Sequence, residues 1–225
     1  MNGTQWNSRH YLSAGDREFL LTALTDNAAN RDGLLSLLVD PDSLDQILDS
    51  PHLTQVIRAG PAALTLSTRL FFYLHLRRAF LDVGLDDRDL ADYIAGVCAE
   101  FSRAENALFP FKDQSSPVLL SIDYAEEIGA ATGSQQFFLH ASAGNHYLFM
   151  TGFFAAFLKM RSERRGAPGV GYYEEVGRRS FASARDHRLA REYAMESIFD
   201  QLVQVFSDVR QQLENVATRL NGEAA

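Results

Sequence analysis

Apolar residues recur at intervals of three and four along most of the chain, which is the spacing of one face of an α-helix. Leu90, Tyr93, Ile94, Val97 and Phe101 are an example of this spacing. No run of four or more residues alternates convincingly between apolar and polar positions, so the pattern predicts no significant β-sheet. We therefore predict an all-α fold, a bundle-like globule of about eight to ten helices.

Capping and turn-forming residues divide this pattern into helices. Ser13, Asp32 and Ser134 are predicted N-caps. The pairs Asp40-Pro41 and Ser50-Pro51 predict two further helix starts, because proline is tolerated in the first helical turn. Gly84 is the expected C-cap of a helix that begins at Pro61. The other predicted helices cover residues 34–39, 87–105, 116–132, 134–165, 172–186 and 189–220.

Residues 106–116, with the sequence NALFPFKDQSS, interrupt the helical pattern. We predict a single helical domain over residues 1–225, in which this segment is a long loop that could separate two lobes. The most apolar stretch, residues 147–158, is 12 residues long. A membrane-spanning helix needs roughly 20 residues, so we interpret this stretch as a buried helix and expect no membrane association.

Composition narrows the class of protein further. The chain has 225 residues, of which 46% are hydrophobic and 22% are charged, and this balance favours a folded globule over disorder. Its one cysteine, Cys98, has no partner for a disulfide within the chain and lies among apolar residues, which predicts a buried, inert thiol. With no apolar or basic export signal at the N-terminus, the sequence predicts a cytoplasmic protein.

Basic residues are concentrated in the last third of an otherwise acidic chain. Residues 159–191 carry a net charge of +5, whereas the whole chain carries −8. Eight of the nine basic residues in this segment are arginines, which suit bidentate contacts with carboxylate or phosphate. The candidate partner- or anion-binding residues are Arg164, Arg165, Arg178, Arg179, Arg185, Arg188 and Arg191.

Two interpretations of these arginines remain open. They could pair with the acidic N-terminal half, within the chain or across a dimer, and form an ordinary salt-bridged surface. Alternatively, they could bind an acidic or phosphorylated partner. Nucleic acid is an unlikely partner, because non-specific affinity depends on neutralising phosphates and the chain is acidic overall.

The segment 136–160 combines large aromatic residues with small ones. Gly144, Gly152 and Ala156 are separated by multiples of four, which predicts a narrow groove where another helix can approach closely. A ridge of Phe149, Phe153 and Phe157 is expected beside it. We interpret this segment as the central core helix, and the alternative is a ligand pocket lined by Asn145, His146, Phe149, Phe153, Tyr172 and Tyr173.

Motifs for catalysis are weak. The chain contains no H-E-x-x-H, P-loop, G-x-G-x-x-G or G-x-S-x-G sequence, and the Glu-x-x-His spacing of di-iron bundles is also missing. A metal site could still collect side chains from four different helices. The candidate ligands for such a site are Glu127, His140, Glu175 and His187.

Three functions follow from these patterns. The leading prediction is a non-enzymatic interaction protein that forms homo-oligomers and binds an acidic or phosphorylated partner through its arginine-rich C-terminal third. It has no predicted catalytic residue or cofactor. The alternatives are a metal- or haem-dependent oxidase or oxygenase with a helical-bundle site, and a protein that binds a small hydrophobic ligand between helices.

Overall fold

The computed structural model describes residues 8–25, 28–60, 65–103 and 121–223. Within these ranges the chain forms twelve α-helices and no strand, which confirms the predicted all-α class. The count exceeds the expected eight to ten because two of the long predicted helices are each interrupted by a break. The loop predicted at 106–116 lies outside the described residues.

The chain divides into two compact units, with the boundary at about residue 100. We call residues 2–99 the N-terminal unit and residues 100–224 the C-terminal unit. Each unit has its own set of buried hydrophobic side chains.

The N-terminal unit contains a short 3-10 helix and six α-helices. Ser13 caps the first α-helix, as predicted, and does so through a capping box: its side chain accepts from Asp16 N–H and the Asp16 carboxylate accepts from Ser13 N–H. Asp40 caps the third helix through one bond, which its side chain accepts from Ser43 N–H. The bounds are Ser8–His10 for the 3-10 helix, α1 Ala14–Leu24, α2 Ala28–Leu37, α3 Pro41–Leu48, α4 Pro51–Ala59, α5 Thr68–Asp82 and α6 Arg88–Phe101.

One predicted helix start in this unit is wrong, and another lies outside the described residues. The expected start at Pro61 is outside the described ranges, and the helix that ends before Gly84, α5, begins at Thr68, where the side chain of Ser67 accepts the N–H of Leu70 and caps it. Asp32 does not start a helix at residue 34, because α2 already begins at Ala28. Gly84 follows α5 with a φ of +77°, as the prediction of a glycine C-cap requires.

The C-terminal unit contains six α-helices. Their bounds are α7 Ser121–Ala130, α8 Ser134–Phe153, α9 Ala155–Arg165, α10 Val170–Asp186, α11 Arg188–Glu192 and α12 Glu196–Glu223. The three longest, α8, α10 and α12, pack against one another. Gly144 on α8 lies against the ring of Phe181, and Gly152 lies against Leu213. The predicted close approach at these two glycines is therefore confirmed.

A break at Phe154 divides the single helix that we expected over residues 134–165. The φ/ψ angles of Phe154 are −119° and 25°, and the helix restarts at Ala155. One turn earlier, the Thr151 hydroxyl donates to the carbonyl oxygen of Tyr147 at 2.6 Å, a contact that bends helices. The N-cap of α8 is Gly133 instead of the predicted Ser134.

A second break divides the helix expected over residues 189–220. The short α11 ends at Glu192, and Ala194 adopts a φ of +55° before α12 begins at Glu196. Apolar side chains are buried on both sides of this break, Leu189 before it and Ile198 after it.

Across the described residues, we find no helix with the length and apolar character needed to cross a lipid bilayer.

Candidate docking surface

The seven arginines predicted to bind a partner do not share one environment. Five of them have a carboxylate partner inside the C-terminal unit: Glu175 for Arg178 and Arg179, Asp186 and Asp200 for Arg185, Glu192 for Arg188 and Glu196 for Arg191. Most of these partners lie within five positions in the sequence, because helical spacing brings them together. The two arginine hydrogen bonds also hold the pKa of Glu175 below its usual value.

Arg164 and Arg165 differ from the other five. Both are exposed in the last turn of α9, and neither has a carboxylate partner in the part of the chain that the structure describes. With Phe157, Met160 and Arg161 they line a surface concavity of about 220 Å³. We call these five residues the basic face of α9.

The basic face follows directly from helix geometry. Its five residues are spaced by three and four, which places them on one side of α9. The guanidinium carbon of Arg161 lies 5.7 Å from the centre of the Phe157 ring, a cation–π contact. On the other side of the helix, Ala155 and Leu158 are buried in the unit. The helix therefore has an apolar inner side and an outer side that is both apolar and basic.

Helix stability explains only part of this arrangement. Positive charge in the last turn of a helix is favourable because it complements the helix dipole, so Arg164 and Arg165 each have a structural role. That role does not explain why Phe157 and Met160 are 41% and 39% exposed on the same face. Exposed apolar side chains clustered beside uncompensated charge are typical of an interaction site.

The rings of the predicted ligand pocket pack against one another or against Tyr147. Phe149 stacks on Phe153 at 4.9 Å, and Tyr173 stacks on Tyr147 at 5.9 Å between ring centres. Asn145 is half-buried on the same helix, and Tyr172 is 47% exposed. Phe157 does not continue the ridge of Phe149 and Phe153, because the break at Phe154 places it on α9.

His146 is the one histidine among these residues, and it is strongly buried. It is 3% exposed, and its ring lies within 6 Å of the rings of Phe101, Tyr124 and Tyr147. Its Nδ1 has no hydrogen-bond partner in the described structure. Burial lowers the pKa of His146 to about 4, so the imidazole is neutral at pH 7.

The four candidate metal ligands are not brought together as a set. Glu127 is exposed on α7, while Glu175 pairs with two arginines on α10. His140 lies close enough to His187 for that ring to contribute, with burial, to a lowered His140 pKa. Over the described ranges, no three His, Cys, Asp or Glu side chains are arranged to hold a metal ion.

His187 already has a structural task that conflicts with metal binding. Its Nδ1 accepts the backbone N–H of Leu189 at 3.1 Å and thereby caps α11. A neutral imidazole with an acceptor at Nδ1 carries its proton on Nε2. Nε2 is then a donor and offers no lone pair to a metal.

Cys98 is fully buried, as predicted. Burial raises the pKa of its thiol well above the usual value, which keeps the sulfur protonated and unreactive.

A set of buried ion pairs in the N-terminal unit was not predicted from the sequence. Arg9 is 8% exposed and bonds to Asp45 at 2.9 Å and to Asp89 at 2.8 Å. Arg77 is 1% exposed and bonds to Asp49 at 2.6 Å. The signal available in the sequence was the position of Arg77 in the apolar run of α5. Because these guanidinium groups are already paired with carboxylates, we assign them a structural role.

No family model, curated protein or solved structure matches this chain in comparisons with known proteins.

Proposed function

We propose that this protein is a non-enzymatic interaction protein that binds an acidic protein segment on the basic face of α9. One observation carries the proposal: Arg164 and Arg165 lack a carboxylate among the described residues, whereas the other five candidate arginines have one. The unpaired cysteine favours a cytoplasmic location for this interaction.

The chemistry of the face defines its partner. Guanidinium groups bind carboxylates with two parallel hydrogen bonds, and the exposed Phe157 and Met160 can exclude water from the centre of such a contact. Covering the exposed part of Phe157 contributes roughly 2 kcal/mol from apolar burial. A partner that matches this face is an amphipathic segment whose acidic and apolar residues recur at three and four.

The net charge of the chain favours a protein segment over an anionic membrane as the partner. The whole chain carries a net charge of −8, so an anionic bilayer would repel most of its surface. A short acidic segment needs complementarity only where it touches the protein. We therefore expect binding to a peptide and no binding to anionic vesicles.

The test is the affinity for a synthetic amphipathic helix of Glu and Leu, measured by fluorescence anisotropy. We expect the double variant Arg164→Glu/Arg165→Glu to lose about tenfold or more in affinity. The matched control is Arg178→Glu/Arg188→Glu, which makes the same charge change at arginines that already have partners and should bind the peptide as the native protein does. Circular dichroism melting curves check that both variants are folded.

Two outcomes would remove the proposal. One is equal loss of affinity in the two double variants, because net charge alone would then explain binding. The other is binding to anionic vesicles without binding to the acidic peptide. Phe157→Ser provides a readout without any charge change, and we expect it to weaken peptide binding as well.

A further inference from the structure

Arg161 resembles Arg164 and Arg165, because it too has no carboxylate partner among the described residues. Its guanidinium group lies over the ring of Phe157. Burial raises the pKa of Tyr173 on α10, and the positive charge of Arg161 opposes this rise, which places the guanidinium group near that hydroxyl. The basic face therefore combines one half-buried arginine that lies against an aromatic ring with two exposed arginines in the last turn of α9.

The three guanidinium groups border one concavity. Arg161 precedes Arg164 and Arg165 by three and four positions, so like charges lie side by side on the helix and repel one another. Arg161 also lies before the last turn, where the helix dipole contributes little. The one acidic residue of α9, Glu163, lines a different concavity together with Lys159. Helix stability therefore does not explain this set of three arginines.

A phosphate group matches this concavity better than a carboxylate does. A carboxylate carries one negative charge, whereas a phosphorylated side chain carries about 1.5–2 at pH 7 and offers three acceptor oxygens. The concavity of about 220 Å³ has room for several water-sized groups, each of which takes about 30 Å³ in the liquid. One phosphate can therefore accept from more than one guanidinium group, while Phe157 and Met160 contact the carbon atoms that carry it.

We propose that the concavity of the basic face binds a phosphorylated side chain of the acidic partner segment. The inference rests on the docking face proposed above and names the group that fills its centre. Arginine suits this ligand, because its planar guanidinium group bonds two phosphate oxygens at once. Phosphorylation of the partner then raises its affinity for the basic face, so docking responds to the kinase and the phosphatase that act on the partner.

Four versions of one amphipathic helical peptide test the proposal. They differ only at a central position, which is serine, glutamate, phosphoserine or phosphotyrosine, and fluorescence anisotropy measures their affinities. We expect at least one phosphopeptide to bind the native protein about tenfold or more tightly than the glutamate peptide does. The double variant Arg164→Glu/Arg165→Glu should lose this preference. The phosphorus NMR signal of the phosphopeptide should shift on adding the native protein and stay unchanged on adding the double variant.

Arg161→Lys separates the geometry of the site from its charge. Lysine keeps the positive charge but lacks the planar fork that bonds two phosphate oxygens. We expect this variant to lose more affinity for the phosphopeptide than for the glutamate peptide, so that the preference falls to about threefold or less. The matched control is Arg188→Lys, the same exchange at an arginine that bonds Glu192, and it should keep the native preference. Circular dichroism melting curves check that both variants are folded.

Free phosphate is the other source of the same chemistry. Inorganic phosphate makes no apolar contact with Phe157 or Met160, so it should displace the phosphopeptide only at concentrations about a hundredfold or more above the Kd of the peptide. Displacement at concentrations equal to that Kd would overturn the proposal, because the concavity would then be a site for free phosphate.

The same peptides separate this inference from the proposed function. If the glutamate peptide and both phosphopeptides bind the native protein equally, and the double variant weakens all three, the docking face is correct and the phosphate site is wrong. If only a phosphopeptide binds, the phosphate site is correct and the docking of an unphosphorylated acidic segment is wrong. If no peptide binds, both proposals are wrong.

Discussion

Replacing Gly152 by alanine should destabilise the C-terminal unit, because the added methyl group has no space. A Cβ atom at this position would lie 2.5 Å from Cβ and 3.0 Å from Cδ1 of Leu213 on α12. Favourable contact between carbon atoms occurs at about 3.5–4.0 Å. Cβ of Leu213 is fixed to the backbone, so rotation of its side chain cannot relieve the clash. The two helices must move apart by about 1 Å.

The expected magnitude is the difference between two effects. Overpacking of a core costs about 1–3 kcal/mol, and replacing glycine by alanine inside a helix recovers about 1 kcal/mol of helix propensity. We therefore expect Gly152→Ala to lower the free energy of unfolding by about 1–2 kcal/mol. Gly171 on α10 is the matched control, because nothing lies within 4 Å of its added Cβ. Gly171→Ala should be neutral or stabilising by up to about 1 kcal/mol.

Urea unfolding followed by circular dichroism measures both variants. The expected result is a lower midpoint for Gly152→Ala at an unchanged slope, and an equal or higher midpoint for Gly171→Ala. If the two variants were equally stable, the close packing of α8 against α12 would be incorrect.

Three further predictions concern stability. Burial lowers the pKa of His146 to about 4, so the unfolded chain takes up a proton first as the pH falls below about 6.5. The free energy of unfolding should then fall by roughly 3 kcal/mol between pH 6.5 and pH 4 in the native protein, and by less in His146→Phe. Urea unfolding at each pH measures both proteins, and an equal loss of stability in the two would contradict the prediction. Gly84→Ala should lower the free energy of unfolding by about 1 kcal/mol and Ala194→Gly should raise it by about as much, because both positions have positive φ after a helix. Thermal melting measures both variants, and shifts of the same sign would count against the assignment. Ser13→Ala should lower the free energy of unfolding by about 1 kcal/mol, measured by urea unfolding, and should speed hydrogen exchange in α1. Ser50 is an N-cap without a side-chain hydrogen bond, so Ser50→Ala should leave the stability and the exchange rates unchanged.

Helix starts were predictable where a capping side chain or a proline stands at the right place. Asp40 and Pro41 are such a case, because the aspartate satisfies a free N–H and proline needs none. The breaks at Phe154 and Ala194 could not be predicted. Neither position is glycine or proline, and the surrounding pattern continues at helical spacing across both. The bond from the Thr151 hydroxyl to the carbonyl oxygen of Tyr147 bends the helix before Phe154, but a threonine within an apolar helix does not by itself specify a break.

The partners of the arginines could likewise be predicted only in part. The pairing of Arg178 and Arg179 with Glu175 can be read from spacings of three and four. The bond from Arg185 to Asp200 at 2.9 Å joins α10 to α12 and cannot be read from spacing. The sequence therefore predicts a basic segment, but it does not distinguish the paired arginines from Arg164 and Arg165.

The break at Phe154 connects the fold to the docking surface. In an unbroken helix, Phe157 would follow Phe149 and Phe153 at intervals of four and continue their ridge. Instead, the helix ends at Phe153 and a new one begins at Ala155, and Phe149 is 4% exposed while Phe157 is 41% exposed. Burying this ring in the ridge would contribute to stability. The break gives up that contribution and places an aromatic side chain beside arginines that lack a carboxylate among the described residues. The loss of this stabilisation is expected if α9 binds a partner, because binding requires Phe157 at the surface. Packing of the core alone does not explain it.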